Sequence, residues 1–351
     1  MKTDILYYRF FDIASEIDLK LAANLLLKES SPTTFYFRKE NRTMILEQAP
    51  LIFSLGSWSQ EIENEIYEVQ AQGKLWNFGA CSIRLTFSTE SKTVNEIIEK
   101  SKQIENNQVI FDEIQTRLQD ILVVLEKSFK QPNIWKDYED YMIYLFNENP
   151  NLAKEDLYQL CLRETTPLSA AMKSGLEQGY ISYGQNDFCL IDWDSAVIFD
   201  EKDSNDICDI IDFAVCQLLE LRFYDEVLDK KIDDLYDTLK GKKTSLIGNS
   251  YEDLSKEASV YYLEVSGILD KVENSIKVVG DSYYAQVFRV ALKRLRLSDW
   301  MYSIEKKLGH LARVSEVFSG RVHERKTLWM EIIIIVLIAI EVVPVIYKYL
   351  F

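Results

Sequence analysis

The stretch LWMEIIIIVLIAIEVVPVIY, Leu328 to Tyr347, decides the reading of this chain. Ile332 to Ile340 holds nine consecutive residues drawn only from Ile, Val, Leu and Ala. A run of about 20 apolar residues is long enough to cross a hydrocarbon core of roughly 30 Å as a helix. Trp329 and Glu331 at one end and Tyr347 at the other sit where interfacial anchors are expected. Glu341 lies deep in the run, where an ionised carboxylate costs about 2.5–3.5 kcal/mol, so a protonated or paired state is expected there. The expectation is a single-pass C-terminal transmembrane anchor over 328–351.

Working outward, charge is uneven. Tyr283 to Thr327 carries ten basic and four acidic residues, whereas the whole chain has 40 Lys and Arg against 56 Asp and Glu, a net charge of -16. Arg313, Arg321, Arg325 and Lys326 crowd the near flank of the apolar run. The positive-inside rule then places the bulk on the cytoplasmic side, or on the equivalent side of an organelle membrane. Acidic residues in the first twenty positions do not suit a targeting peptide. Membrane lipid is an expected partner through the basic flank. The acidic balance argues against direct nucleic-acid binding through bulk charge.

Further upstream, no proline falls between Leu168 and Val343, and apolar residues recur in steps of four and three. The seams run Ile207 to Leu239, Ala258 to Val279 and Tyr283 to Val322, interrupted by Asp225, Arg294 and Ser315. Such spacing predicts long coiled-coil-like helices, packed within one chain as a bundle or pairing subunits into a homo-oligomer.

The N-terminal half alternates aromatic and β-branched runs (4–11, 51–55, 80–87) with helical spacing (18–27, 92–104, 111–125), and 33–38 and 43–47 read as short strands. The fold class expected is α+β: a ferredoxin-like α/β head, a long helical hairpin stalk and a single transmembrane helix. The domain division is an α+β sandwich over 1–130, a small α+β element over 131–205, heptad helices over 206–327 and the anchor over 328–351.

Little catalytic chemistry is visible. Two histidines and five scattered cysteines give no metal or redox spacing. Gly241-Lys242-Lys243-Thr244-Ser245 lacks the earlier glycine of a phosphate loop and follows a helix rather than a strand. Asp192 and Asp194 flank Trp193, and on a strand two carboxylates at i and i+2 would share a face and could hold a divalent cation. A strand-end turn with acids favouring the next helix is the simpler account of them. No other cofactor is expected.

The run Ile191-Asp192-Trp193-Asp194-Ser195-Ala196-Val197, the helix Leu219 to Asp225, Tyr262-Leu263-Glu264-Val265 and Trp329-Met330-Glu331 leading to Ile340-Glu341-Val342 resemble the "required for meiotic nuclear division" family over roughly 180–343. That resemblance implies a C-terminally anchored bacterial membrane protein with its bulk on the cytosolic side and no assigned catalytic residue. The expected function is a non-enzymatic, membrane-tethered oligomeric scaffold that presents its head to an unidentified protein partner. Two alternatives of other classes are a subunit of a CorA-like ion pore, with Glu341 facing the axis, and a divalent-metal-dependent enzyme built on Asp192 and Asp194.

Overall fold

The computed structural model describes residues 1–28, 49–63, 65–200, 204–239, 251–275 and 282–350. The strands expected at 33–38 and 43–47 fall outside them. Ten strands are described: β1 (Lys2–Asp12), β2 (Ala14–Ile17), β3 (Leu51–Ile62), β4 (Glu65–Leu75), β5 (Ala80–Glu90), β6 (Phe129–Pro132), β7 (Glu139–Phe146), β8 (Tyr180–Ile181), β9 (Phe188–Ile191) and β10 (Ser195–Phe199). The described helices are α1 (Leu19–Lys28), α2 (Val94–Glu105), α3 (Gln108–Leu125), α4 (Lys154–Leu162), α5 (Ala170–Glu177), α6 (Ser204–Leu239), α7 (Tyr251–Ser275), α8 (Ser282–Arg294) and α9 (Leu297–Leu350), with a 3-10 turn at Glu126–Ser128.

Contacts divide the chain into two compact units, Met1–Phe223 with Val272–Trp300, and Tyr224–Lys271 with Met301–Phe351. The first is built on an eight-stranded sheet of order β3-β4-β5-β1-β7-β10-β9-β8. Residues Ile5 to Phe11, almost all aromatic or β-branched, make β1 a central strand. It pairs antiparallel with β5 (Tyr7↔Leu85) and with β7 (Tyr7↔Met142). The pairing of β7 with β10 is parallel (Ala196↔Ile143), and the other ladders of this sheet are antiparallel.

Side-chain alternation gives the sheet two different faces. Ile5, Tyr7 and Phe11 with Ile83, Leu85, Phe87, Met142, Tyr144 and Phe146 join Ile97, Ile98, Ile114, Leu118 and Leu160 of the helices in one apolar core. Helix starts on this side are capped: Asp18 Oδ1 accepts from the Lys20 and Leu21 amides, Thr93 from Glu96, and Asn107 from Val109 and Ile110. The opposite face, carrying Lys74, Ser82 and Glu139, lies against the first half of α6, and Phe288 of α8 stacks on Phe213 there at 5.7 Å.

The ferredoxin-like expectation is corrected by this topology. The strands of 1–130 and of 131–205 share one wide sheet, because β7 inserts beside β1 and receives β10 on its other edge.

In the second unit, Leu228, Ile232 and Leu235 of α6, Ala258, Val265 and Leu269 of α7, and Ile304, Leu308, Leu311, Val314 and Phe318 of α9 are buried. The heptad seams therefore close on one another inside one chain, not as the hairpin stalk expected. The polar seam residues have partners: Lys307 pairs with Asp225 at 2.8 Å and Asp229 at 2.6 Å, Ser303 donates to Asp225 at 2.9 Å, and Ser315 meets Ser255 at 3.1 Å.

The transmembrane expectation is also corrected. Among the described residues no helix is long and apolar enough to cross a membrane. The side chains of the apolar run are described continuously only from Leu328 to Ile340. That is about 20 Å of helix, short of a core of roughly 30 Å, and it contains exposed Glu331. The C-terminal anchor, the membrane localisation and the orientation that rested on it fall together.

Candidate functional site

A buried polar cluster lies between the sheet and α6 in the first unit. Lys74, on β4, is directly opposite Ser82 of β5. Its side chain is 6% exposed, and Nζ sits 2.9 Å from Asp209 Oδ1 and 2.8 Å from Asp212 Oδ2. The two aspartates are one turn apart on one face of α6. Ser82 Oγ donates to Asp212 at 3.2 Å, and the Cys216 thiol, a turn further on, points at the same carboxylate at 3.6 Å. The Lys74 ammonium also lies 5.7 Å from the centre of the Trp76 ring. Arg84, two residues along β5 from Ser82, stands directly opposite buried Tyr8 on the β1–β5 ladder.

Electrostatics define what this cluster can do. Burial pulls the Lys74 ammonium down, but Asp209 and Asp212 outweigh it and hold the group above the ordinary lysine value. A lysine kept cationic in this way cannot serve as a base or form a Schiff base at neutral pH. Burial pushes the Cys208 and Cys161 thiols up to about 12 and Cys216 well above its usual range, so none supplies a thiolate. The cluster fastens α6 to the sheet and has the character of a clamp, not of a reaction centre.

A second ionic arrangement surrounds the β9–β10 turn. Asp192 and Asp194 lie in that turn, not on a strand, and they separate. Asp192 is bonded to Arg294 of α8, which also donates to the Gly175 carbonyl at 3.1 Å. Asp194 is bonded to Arg163, the left-handed residue that ends α4. Tyr141 OH donates to the backbone carbonyls of Asp192 and Ser195 at 3.0 and 2.7 Å, fixing the turn from below. Each carboxylate thus has its own guanidinium. Among the described residues no group of three or more His, Cys, Asp and Glu is placed to hold a metal ion.

Of the residues read as membrane contacts, Trp329 and Glu331 are exposed on α9, and Arg313 is exposed earlier on the same helix. The side chains of Arg321, Arg325, Lys326, Glu341 and Tyr347 lie outside those described. A cavity of ≈ 490 Å³ at the start of α2, bordered by Lys92, Thr93, Asn95 and Asp156, brings no nucleophile and base together.

Sequence reasoning did not single out Lys74, Ser82, Asp209 or Asp212 as a site. The signal was present: Asp209 and Asp212 interrupt the apolar run Ile207 to Leu221, where a solvated face is not available.

Residues 2–205 match the family described as "Uncharacterized protein MJ0711, N-terminal domain", and the chain belongs to that family. It is 24% identical over 254 residues to "Uncharacterized protein MJ0711" of Methanocaldococcus jannaschii, covering 71% of this chain and 78% of that protein. These findings replace the resemblance to the meiotic nuclear division family and the bacterial membership drawn from it. That resemblance rested on 180–343, largely on heptad helices and an apolar run, patterns that unrelated long helices share. The match instead covers the sheet-bearing part of the chain.

Proposed function

We propose that this chain is a non-enzymatic scaffold that self-associates through its last helix and holds its α+β unit ready for a protein partner. The observation that carries the reading is the surface of α9. Eleven apolar side chains between Leu328 and Ile340 are each half or more exposed, on every side of the helix. Contiguous apolar patches beyond a few hundred Å² mark interaction surfaces, and a helix apolar all round is a helix meant to be buried. Copies of the same segment, Ile-rich and with Glu331 as its sole described charge, offer matching apolar surface on all sides. The clamped, fully cationic Lys74 and the separately paired Asp192 and Asp194 favour a framework over an enzyme.

Analytical ultracentrifugation of the full chain, beside a chain ending at Thr327, tests this. The full chain is expected to sediment as a concentration-dependent oligomer and the shortened chain as a monomer. A full chain that stays monomeric at tens of micromolar, or a shortened chain that still assembles, overturns the reading.

A further inference from the structure

Residues 133–138 join β6 to β7 and cross one corner of the sheet. The segment is tied down by its backbone: the Asn133 amide donates to the Ile13 carbonyl at 3.2 Å and the Trp135 amide to the Asp12 carbonyl at 3.0 Å. Trp135 is the plug. It is buried among exposed neighbours, its ring lies edge-on to Phe223 of α6 at 6.1 Å, and the Arg222 guanidinium sits 6.0 Å from its centre.

Beneath this plug the fold buries carboxyls. Glu139 is opposite Phe10 on the β1–β7 ladder, so Asp12, two residues further along β1, is its diagonal neighbour on the same face. Their relative exposures are 8% and 3%. Arg222 is bonded to Glu139. The other charged groups at this corner are Asp140 of β7 and Asp137 and Lys136 of the segment itself, all exposed.

We propose that residues 133–138 form a strap that is closed while the carboxyls of Asp12 and Glu139 are protonated and that releases Trp135 when both ionise. Once both protons leave, two neighbouring buried anions share a corner served by the Arg222 guanidinium, and separation into water relieves them. Asp12 is the lever, because its own carbonyl holds the Trp135 amide. The titration falls in a useful range. Burial pushes Asp12 up to about 7 despite the Ala14 amide that it accepts, and burial raises Glu139 to about 7 against the pull of Arg222. This inference stands independently of self-association through α9.

Hydrogen exchange read by mass spectrometry on the full chain tests it, with rates corrected for intrinsic pH dependence. The expected result is that protection of the peptide spanning the strap falls from about pH 6 to about pH 8, by up to tenfold per pH unit for each linked carboxyl. Protection of α3 should not change. Asp12→Asn and Glu139→Gln, singly, should each flatten the slope. Equal strap protection at the two pH values in the unaltered chain overturns the proposal, and this arm needs no variant to fold. A slope that persists unchanged in both folded variants overturns it as well.

Discussion

Lys74 shows how a single buried charge shapes this protein. Two carboxylates converge on it, Asp212 fully buried and Asp209 partly exposed. Breaking such a group by removing one partner costs about 3–5 kcal/mol, because the remaining charges stay buried without compensation. Lys74→Met should therefore lower the unfolding free energy measured by urea titration by an amount in that range, whereas Arg313→Ala, at an exposed site, should leave it within about 0.5 kcal/mol. Glu139 makes the opposite kind of contribution. Burial raises its carboxyl from 4.5 to about 7, against the effect of Arg222. A folded-state value above the unfolded one means that its contribution is complete below about pH 4.5 and is lost as pH rises through 7. Glu139→Gln should accordingly flatten the dependence of Tm on pH across that window. If the unaltered protein becomes steadily more stable between pH 5 and 7 because of this residue, the assignment is wrong.

At the scale of elements, the strands and helices with unmixed patterns were legible. Residues 4–11 lie inside β1, 80–87 inside β5 and 111–125 inside α3, because aromatic and β-branched alternation or strict three-four spacing left no competing reading. The stretch 60–70 alternates polar and apolar side chains on an outer ladder with one solvated face, a local pattern that does not by itself choose strand over helix. It forms the end of β3, a turn at Glu63 in the left-handed region, and the start of β4. Gly79 is the element-level keystone that the sequence did not advertise. It sits at φ +109° between β4 and β5, and a Cβ there would run into the Ala14 carbonyl oxygen of β2. Gly79→Ala should cost more than the roughly 1 kcal/mol of a glycine's ordinary conformational role, through both the dihedral and the collision. A thermal melt unchanged by that substitution would refute the close approach.

At the scale of the whole molecule, the sequence conveyed the α+β class and the heptad helices but not how the pieces join. The sheet crosses the boundary expected at 130, because strand order depends on pairings between residues more than a hundred positions apart, which local patterns do not encode. The clamp was only half legible for the same reason: Asp212 stands out inside an apolar run, but nothing local joins Lys74 to it until a long-range contact makes them neighbours. The apolar run of α9 was conspicuous, yet its described span is too short to serve as the anchor expected of it.

The position of β1 has a consequence for synthesis. β1 is synthesised before both of its neighbours yet lies inside the finished sheet, and one side of that ribbon waits for Glu139 to Phe146. At about 5–20 residues per second, the greasy segment Ile5 to Phe11 emerges from the ribosome many seconds before its second neighbour exists. During that interval half of its main-chain hydrogen-bonding edge is unsatisfied by any native strand, so the nascent chain carries an aggregation-prone edge until β7 has been made.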